Sequence, residues 1–162
     1  MEKEVTHWKQ KLTDVNWIGT YILPNGMDII VKLLRVEWKE DLKVMGQSKK
    51  SFVAYFGDNK YFDKPMLLNK TNLSRITKIT GTPNPQEWIN LNMDVILCQE
   101  MDKAIGGGKD WALRIKEYNK PNLILDSPNF IKVKDAITSG KATIEQVESK
   151  YKLSEEVRNA II

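Results

Sequence analysis

The stretch 64-KPMLLNKTNLSRITKITG-81 changes its hydrophobic period halfway, and this change organises the rest of the chain. Residues 66–68 form a short apolar run that suits a buried strand. Leu73, Ile76 and Ile79 then recur every three residues, which is the spacing of a helix face. The stretch therefore predicts a strand that passes into a helix almost without a loop.

The four residues NKTN at 69–72 connect these two elements, and two interpretations of them stay open. In the first they are a corner of the fold, where Thr71 or Asn72 caps the unpaired amides of a helix over 71–80. In the second the start of the helix binds a phosphate group with the help of Lys70.

Four further strands are predicted on either side of this stretch. Residues 27–39 indicate one long strand whose alternation slips at Leu33–Leu34, as a β-bulge would cause, and bulges bend strands. The other strands are predicted at 51–56, 92–101 and 111–118. The order strand-strand-strand-helix-strand-strand is that of the five-stranded OB barrel, with the helix plugging one end. We therefore expect a mainly β fold, an OB-like barrel with a C-terminal helical appendage.

Three regions follow from this pattern: the barrel with an N-terminal extension at 1–120, a linker at 121–128, and the helical appendage at 129–162. In the N-terminal extension, a helix is one interpretation of the residues that lead up to Gly19. Thr143 and Ser154 are suitable N-caps for two short helices in the appendage.

The tail 142–161 also matches a helix-turn-helix pattern, but Lys152 stands where such motifs usually have glycine. We expect it to be an interaction or packing appendage, with DNA reading as the alternative. Its apolar stripe supplies the candidate partner-binding residues Leu153, Val157 and Ile161.

Composition limits the classes of function. The chain has 162 residues, of which 41% are hydrophobic and 28% charged, and no apolar run approaches the roughly 20 residues of a membrane span. The start of the chain lacks the apolar core of a signal peptide, and its single cysteine, Cys98, fits a reducing compartment. Residues 1–120 hold 19 basic and 15 acidic residues, whereas 121–162 hold six of each, so the formal charge of +4 comes from the first region.

Signals of catalysis are poor. His7 is the only histidine, and one histidine with one cysteine cannot form a zinc site. The segment GGGKD at 106–110 lacks the ending of a Walker loop and precedes a strand instead of a helix. We expect a protein that is not an enzyme and that needs no metal or other cofactor.

Signals of nucleic-acid binding are better. OB barrels bind single strands on the face of strands two and three, between the loops that join strands one and two and strands four and five. Here both predicted loops combine glycine with lysine, namely Gly46 with Lys49 and Lys50, and 106–108 with Lys103 and Lys109.

Aromatic residues lie between these loops, and strand alternation cannot bury both Tyr55 and Phe56. Trp38 and Trp111 suit buried residues that close the barrel, although Trp111 is also a candidate stacking platform. The predicted nucleic-acid-binding residues are Arg35, Lys49, Lys50, Phe52, Tyr55, Lys60, Tyr61, Lys70, Lys109, Trp111, Arg114 and Lys116.

The runs PMLLNKTNLSRITKITG, EWINLNMDVIL and WALRI, within residues 27–118, resemble a family of small proteins frequent in phages and prophages of Bacteroidetes. Trp88 and Ile89 match a step of that family, but Asn90 replaces its usual glycine. The resemblance implies a phage-encoded accessory protein of DNA replication or recombination in the host cytoplasm, similar to phage OB-fold single-stranded DNA-binding proteins. It assigns no binding residues.

The expected partner is single-stranded DNA, bound by lysines that neutralise phosphates and by rings that stack on bases. Phage replication or recombination proteins, or a second copy joined through the C-terminal helices, are further possible partners, and no membrane is expected. A different class of function also stays open, a phage adaptor that binds proteins through barrel and tail, and the modest charge favours it. A transcriptional regulator acting through the tail is the third alternative.

Overall fold

A computed structural model describes residues 16–103 and 107–162. Contacts divide the chain into two compact units, one ending at Tyr118 and the other comprising Asn119–Ile162. The N-terminal helix and His7 of the sequence interpretation lie outside the described residues, as does Gly106. None of the helices in the two described ranges combines the length and the hydrophobicity of a membrane span.

The first unit is a five-stranded antiparallel sheet in the order β3-β2-β1-β4-β5. Its strands are β1 Ile29–Val44, β2 Gln47–Phe56, β3 Met66–Leu68, β4 Met93–Lys103 and β5 Lys109–Glu117. The order 3-2-1-4 is that of a Greek key, because β4 returns to lie beside β1 after a long connection. The predicted order of strands and helix is therefore confirmed.

The first strand is long and irregular, as the sequence indicates. Residues 29–33 pair with β4, whereas the later part of β1 pairs with β2. The register of the β1–β2 pair shifts between Leu33 and Arg35, which confirms the predicted bulge, and shifts again between Lys39 and Leu42. Leu33 pairs with both neighbouring strands, and after the second shift Leu42 pairs with Lys49 and is buried outside the main core cluster.

The hairpins are longer than predicted. Met45 and Gly46 alone join β1 to β2, and both have positive φ, 50° and 80°, as a tight hairpin turn requires. Lys49 and Lys50 therefore lie on β2 and not in a flexible loop, so this part of the prediction is wrong. The polar residues at the start of β2 form strand pairs outside the core. Their sequence resembles a loop, because an exposed strand has no alternating apolar residues.

The sheet is not closed, which differs from the predicted barrel. β3 and β5 are its two edges, and helix α1, Lys70–Thr80, lies against β5. Asn69, and not Thr71 or Asn72, caps α1, because its side chain accepts a hydrogen bond from the amide of Asn72. Gly81 ends the helix with φ of 73°.

Asn72 connects this helix to the sheet. It is 1% exposed, its Nδ2 donates to the carbonyl of Leu113 at 3.1 Å, and its Oδ1 accepts from the amide of Ile115 at 3.0 Å. The side-chain amide thus gives these two backbone groups of β5 the hydrogen bonds that a neighbouring strand would otherwise give them. These contacts favour the structural interpretation of the NKTN segment.

Arg75 adds a second link from α1. Its guanidinium binds both carboxylate oxygens of Glu100 on β4, with Nη1–Oε1 at 3.0 Å and Nη2–Oε2 at 2.6 Å. Nη1 also donates to the carbonyl of Ile115 at 3.5 Å. The hydrogen bonds from Arg75 lower the pKa of Glu100 below its usual value, and burial opposes this only in part.

This pair predicts part of the acid sensitivity of the fold. A lowered pKa means that the ionised pair stabilises the fold above the ordinary carboxyl value of 4.5, and this stabilisation is lost as pH falls through the lowered value. We expect Glu100→Gln to lower the melting temperature at pH 7 and to flatten its decline in acid. Glu117→Gln, at an exposed position on β5, is the control. Parallel acid profiles of Glu100→Gln and the wild type would contradict this role of the pair.

The core of the first unit lies between the sheet and α1. Its buried residues are Ile18, Leu23, Ile29, Val31, Leu33, Val36, Ala54, Met66, Leu68, Ile76, Trp88, Val95, Leu97, Leu113 and Ile115. Cys98 is buried outside this cluster, and burial is the main cause that raises the pKa of its thiol.

The second unit contains three α-helices, α2 Pro128–Thr138, α3 Ile144–Lys150 and α4 Glu155–Ile161. Thr143 caps α3 in a capping box with Gln146, and Ser154 caps α4, which confirms both predicted N-caps. The core of this unit comprises Leu123, Phe130, Val147, Val157 and Ile161.

Two predictions for this region need correction. Leu123, within the predicted linker, is buried in this core, and the backbone at Asn122 pairs with Lys152, so the segment belongs to the unit. Val157 and Ile161, predicted to bind a partner, are buried in the same core, and Leu153 packs against it half-buried. The apolar stripe stabilises its own unit, because three short helices need all of it to form a core.

Candidate nucleic-acid interface

The two faces of the β1–β2 hairpin carry different chemistry. Arg35 pairs with Tyr55 and Trp38 pairs with Phe52, and alternation along the strands places these two pairs on opposite faces. The predicted binding residues Phe52 and Tyr55 therefore do not share a surface. We call the face that points away from the main core the outer ribbon face. It consists of Arg35, Glu37, Lys39, Leu42, Lys49, Ser51, Val53 and Tyr55, of which Leu42 and Val53 are buried.

The centre of the outer ribbon face is a stack of an arginine on a tyrosine. Cζ of Arg35 lies 4.1 Å from the ring centroid of Tyr55. Nε of Arg35 donates to Oε1 of Glu37 at 2.8 Å, and Nζ of Lys39 lies 2.9 Å from the other oxygen, Oε2. Glu37 thus holds two neighbouring cations of its strand in place.

These contacts change the pKa values of two charged groups on this face. Hydrogen bonds from Lys39 and then Arg35 lower the pKa of Glu37, and the hydrogen bond to Glu37 raises the pKa of Lys39. Glu37 and Lys39 are therefore ionised at neutral pH. Two cations thus contact one carboxylate, beside a flat surface formed by guanidinium and ring. Lys49 adds a third cation on the same face, further along β2.

The face on the core side offers a different aromatic group. Phe52 is half-buried between Trp38 and Trp88, with ring centroids 4.9 Å and 6.0 Å away. Trp38, expected to be buried, is 48% exposed, and its Nε1 donates to Glu40. The exposed ring on this side is therefore Trp38 and not Phe52, because the hairpin extends past the core that would cover it.

The connection between β2 and β3 is structured by Asn59. Its Oδ1 accepts hydrogen bonds from the amides of Tyr61 and Phe62, at 2.9 and 3.0 Å. Tyr61 packs half-buried against the core, and Nζ of Lys60 lies 5.2 Å from its ring centroid. The predicted binding residues Lys60 and Tyr61 are therefore already in contact with each other.

An open cleft of about 310 Å³ lies beside this connection. It is lined by Tyr55, Phe56, Gly57, Asp58, Asn59, Phe62, Asp63, Lys64 and Pro65. Because it holds two carboxylates and one lysine, it suits a phosphate less well than the outer ribbon face does.

The predicted residues on β5 differ in their accessibility. Trp111 is 45% exposed, and Lys109 and Lys116 are exposed. Arg114 is only 3% exposed and binds Asp102 and the carbonyl of Leu113, so its side chain is not accessible for the predicted contact with a nucleic-acid backbone. Strand alternation places Arg114 on a polar face. Alternation could not show that Arg114 forms an ion pair with Asp102 of β4.

The structure brings only some of the predicted residues together. Arg35, Tyr55 and Lys49 share one face, whereas Lys50 lies with Phe52 on the other. The β4–β5 hairpin extends from the opposite end of β1, so the register does not join Trp111 and Lys109 to the outer ribbon face. Lys70 is exposed in the first turn of α1.

Comparisons with known proteins found no match to a protein-family model, to a curated protein or to a solved structure. Within residues 16–103 and 107–162, no group of three or more His, Cys, Asp or Glu side chains could hold a metal ion. The candidate interface is therefore described from contacts and charges alone.

Proposed function

We propose that this chain is a non-enzymatic protein that binds single-stranded DNA through the outer ribbon face. The observation that carries the proposal is the guanidinium of Arg35 stacked on the ring of Tyr55, 4.1 Å from its centroid, with Lys39 and Lys49 on the same face. Bases of a single strand stack on aromatic rings and on arginine planes, and lysines neutralise the phosphates between them.

The order of the strands supports this proposal. The sheet order 3-2-1-4-5, with a helix between β3 and β4, agrees with the partly open Greek-key barrel of OB folds. In such folds the face of strands two and three binds oligonucleotides. Tyr55 and Lys49 lie on β2, which is the strand between β1 and β3.

The resemblance to small phage proteins supplies the proposed biological setting. A protein that covers single strands would act in phage DNA replication or recombination, in the cytoplasm of the host. The stack and the lysines bind features that every nucleotide has, so most of the affinity is independent of sequence.

Titration with an oligo-dT of about 15 nucleotides, within the range of an OB fold, tests this proposal. All five tryptophans precede residue 118, so their fluorescence reports on the first unit. Three phosphate contacts, made by Arg35, Lys39 and Lys49, predict a slope of log K against log salt of about −2. We therefore expect affinity to fall roughly 20-fold between 50 and 200 mM salt. An affinity that does not change with salt would contradict the mechanism.

An adaptor that binds a phage or host protein is the second candidate. It is favoured by apolar side chains that the second unit exposes, Ile124 at 67%, Ile131 at 53% and Ile162 at 84%. Exposed apolar surface often marks an interaction site. A titration without any change in tryptophan fluorescence at low salt would favour the adaptor over the DNA-binding protein.

A further inference from the structure

The carboxylate of Glu37 is unexpected at the centre of a surface proposed to bind a polyanion. It lies between Arg35 and Lys39 on β1, in contact with both cations. Its negative charge weakens the attraction of this face for phosphate. A carboxylate at this position therefore suggests a contact with a part of the nucleotide other than the phosphate.

The contacts of Glu37 hold its side chain in one orientation. One carboxylate oxygen binds Nε of Arg35 and the other binds Nζ of Lys39, at 2.8 and 2.9 Å. Each oxygen can accept a further hydrogen bond, since an ionised carboxylate has about four lone-pair positions. The side chain is 29% exposed, so a ligand can reach it.

The stack of Arg35 on Tyr55 lies directly beside this carboxylate. Arg35 takes part in both contacts, because its Nε binds Glu37 while its guanidinium covers the ring of Tyr55. A base stacked on the guanidinium would have its edge next to the oxygens of Glu37. The stack supplies a plane for the base, and Glu37 supplies a pair of hydrogen-bond acceptors at the edge of that plane.

We infer that Glu37 selects guanine at this position of the bound strand, by accepting hydrogen bonds from its N1–H and its N2 amino group. The inference rests on the proposed function, because it describes one nucleotide position of the same face. It adds a preference for one base to binding that is otherwise independent of sequence.

Guanine is the base that fits two adjacent acceptors. Its Watson–Crick edge carries two neighbouring donors, N1–H and the N2 amino group, which can bind the two oxygens of one carboxylate. Adenine and cytosine each place a ring-nitrogen acceptor beside their amino group, and thymine flanks its single N–H with two carbonyl oxygens. A carboxylate is repelled by those acceptors, so each of the three other bases makes at most one good hydrogen bond.

Three oligonucleotides test the inference: oligo-dT of 15 nucleotides, the same strand with one central guanine, and the same strand with one central inosine. Inosine lacks only the N2 amino group of guanine. A bidentate contact discriminates by about 1–3 kcal/mol, so we expect the guanine strand to bind roughly 5- to 150-fold more tightly than oligo-dT. The inosine strand should lose most of this preference.

The variant Glu37→Gln completes the test. It should bind the three strands equally, and it should bind oligo-dT at least as tightly as the wild type, because a negative charge is removed from the face. Glu40→Gln is the matched control, since Glu40 lies on the same strand but binds Trp38. If Glu37 only held Arg35 and Lys39 in place, Glu37→Gln would instead weaken binding to all three strands.

The outcomes separate this inference from the proposed function. Equal binding of the three strands by the wild type, with salt-dependent affinity for oligo-dT, would overturn the guanine preference and leave the DNA-binding proposal standing. A preference for guanine that persists in Glu37→Gln would also overturn the role of Glu37. Absence of binding to every strand would overturn both.

Discussion

Replacing Asn72 with alanine is expected to destabilise the first unit by about 2–6 kcal/mol, the largest effect on stability that we predict. The substitution leaves the carbonyl of Leu113 and the amide of Ile115 without their partner, at a buried position on the edge of β5. Each orphaned buried group costs about 1–3 kcal/mol. Because the side chain also links α1 to the sheet, we expect the helix to loosen as well.

Chemical denaturation followed by tryptophan fluorescence measures this effect on the first unit. Asn69→Ala is the matched control, since it removes the helix cap but not the link to β5, and it should cost about 1 kcal/mol. Asn72→Asp keeps the shape of the side chain but loses the donor to Leu113, and should be destabilised at neutral pH. If Asn72→Ala lowered the free energy of unfolding no more than Asn69→Ala does, the link from Asn72 to β5 would not contribute to stability.

The second large effect concerns affinity. Replacing Tyr55 with alanine should lower the affinity for oligo-dT by about 1–3 kcal/mol, or roughly 5- to 150-fold. The change removes the ring that supports the guanidinium of Arg35, 4.1 Å away, and so removes the plane on which a base would stack. Tyr55→Phe keeps this plane and should bind nearly as well as the wild type.

Two further variants sharpen this measurement. Lys78→Ala, on the exposed surface of α1, controls for the loss of a charge elsewhere and should change affinity little. Trp111→Ala tests the other hairpin, and a loss of affinity there would extend the binding surface beyond the outer ribbon face. Melting temperatures close to that of the wild type are required for each variant. Unchanged affinity in a folded Tyr55→Ala protein would contradict the proposed site.

Local patterns in the sequence predicted much of the fold. The slip at Leu33–Leu34 indicated the bulge, and Gly81, Thr143 and Ser154 indicated ends of helices. Each signal depends on the residue itself and on its near neighbours, through backbone conformation or a capping hydrogen bond. Such features are readable without knowing what lies across the fold.

Contacts between distant segments were not predictable in the same way. Thr71 or Asn72 is the cap that the sequence predicts, and nothing local shows that the side chain of Asn72 binds Leu113 of β5, 41 residues away. The sequence predicts an accessible guanidinium at Arg114, because nothing local shows its carboxylate partner, which lies on another strand. Similarly, Val157 and Ile161 form an exposed stripe on an isolated helix but a core once three helices pack.

The candidate site was predictable in composition but not in arrangement. Alternation indicated that either Tyr55 or Phe56 would face outward, whereas the stack of Arg35 on Tyr55 depends on the register across two strands after a bulge. The sequence interpretation gave Glu37 no role, although its spacing from Arg35 and Lys39, two residues on either side, was a usable signal for a charged cluster on one strand face.

The outward-facing edge of β5 has a consequence for how copies of this chain behave in a crowded cell. Bare strand edges are templates on which another chain can add a strand, and this is a route to aggregation. Here the hydroxyl of Thr20, the side-chain amide of Asn72 and the guanidinium of Arg75 bind the carbonyls of Trp111, Leu113 and Ile115, and Asn72 also binds the amide of Ile115. These backbone groups are therefore not available to a strand from another molecule. A second copy cannot extend the sheet at β5 for as long as α1 stays in place.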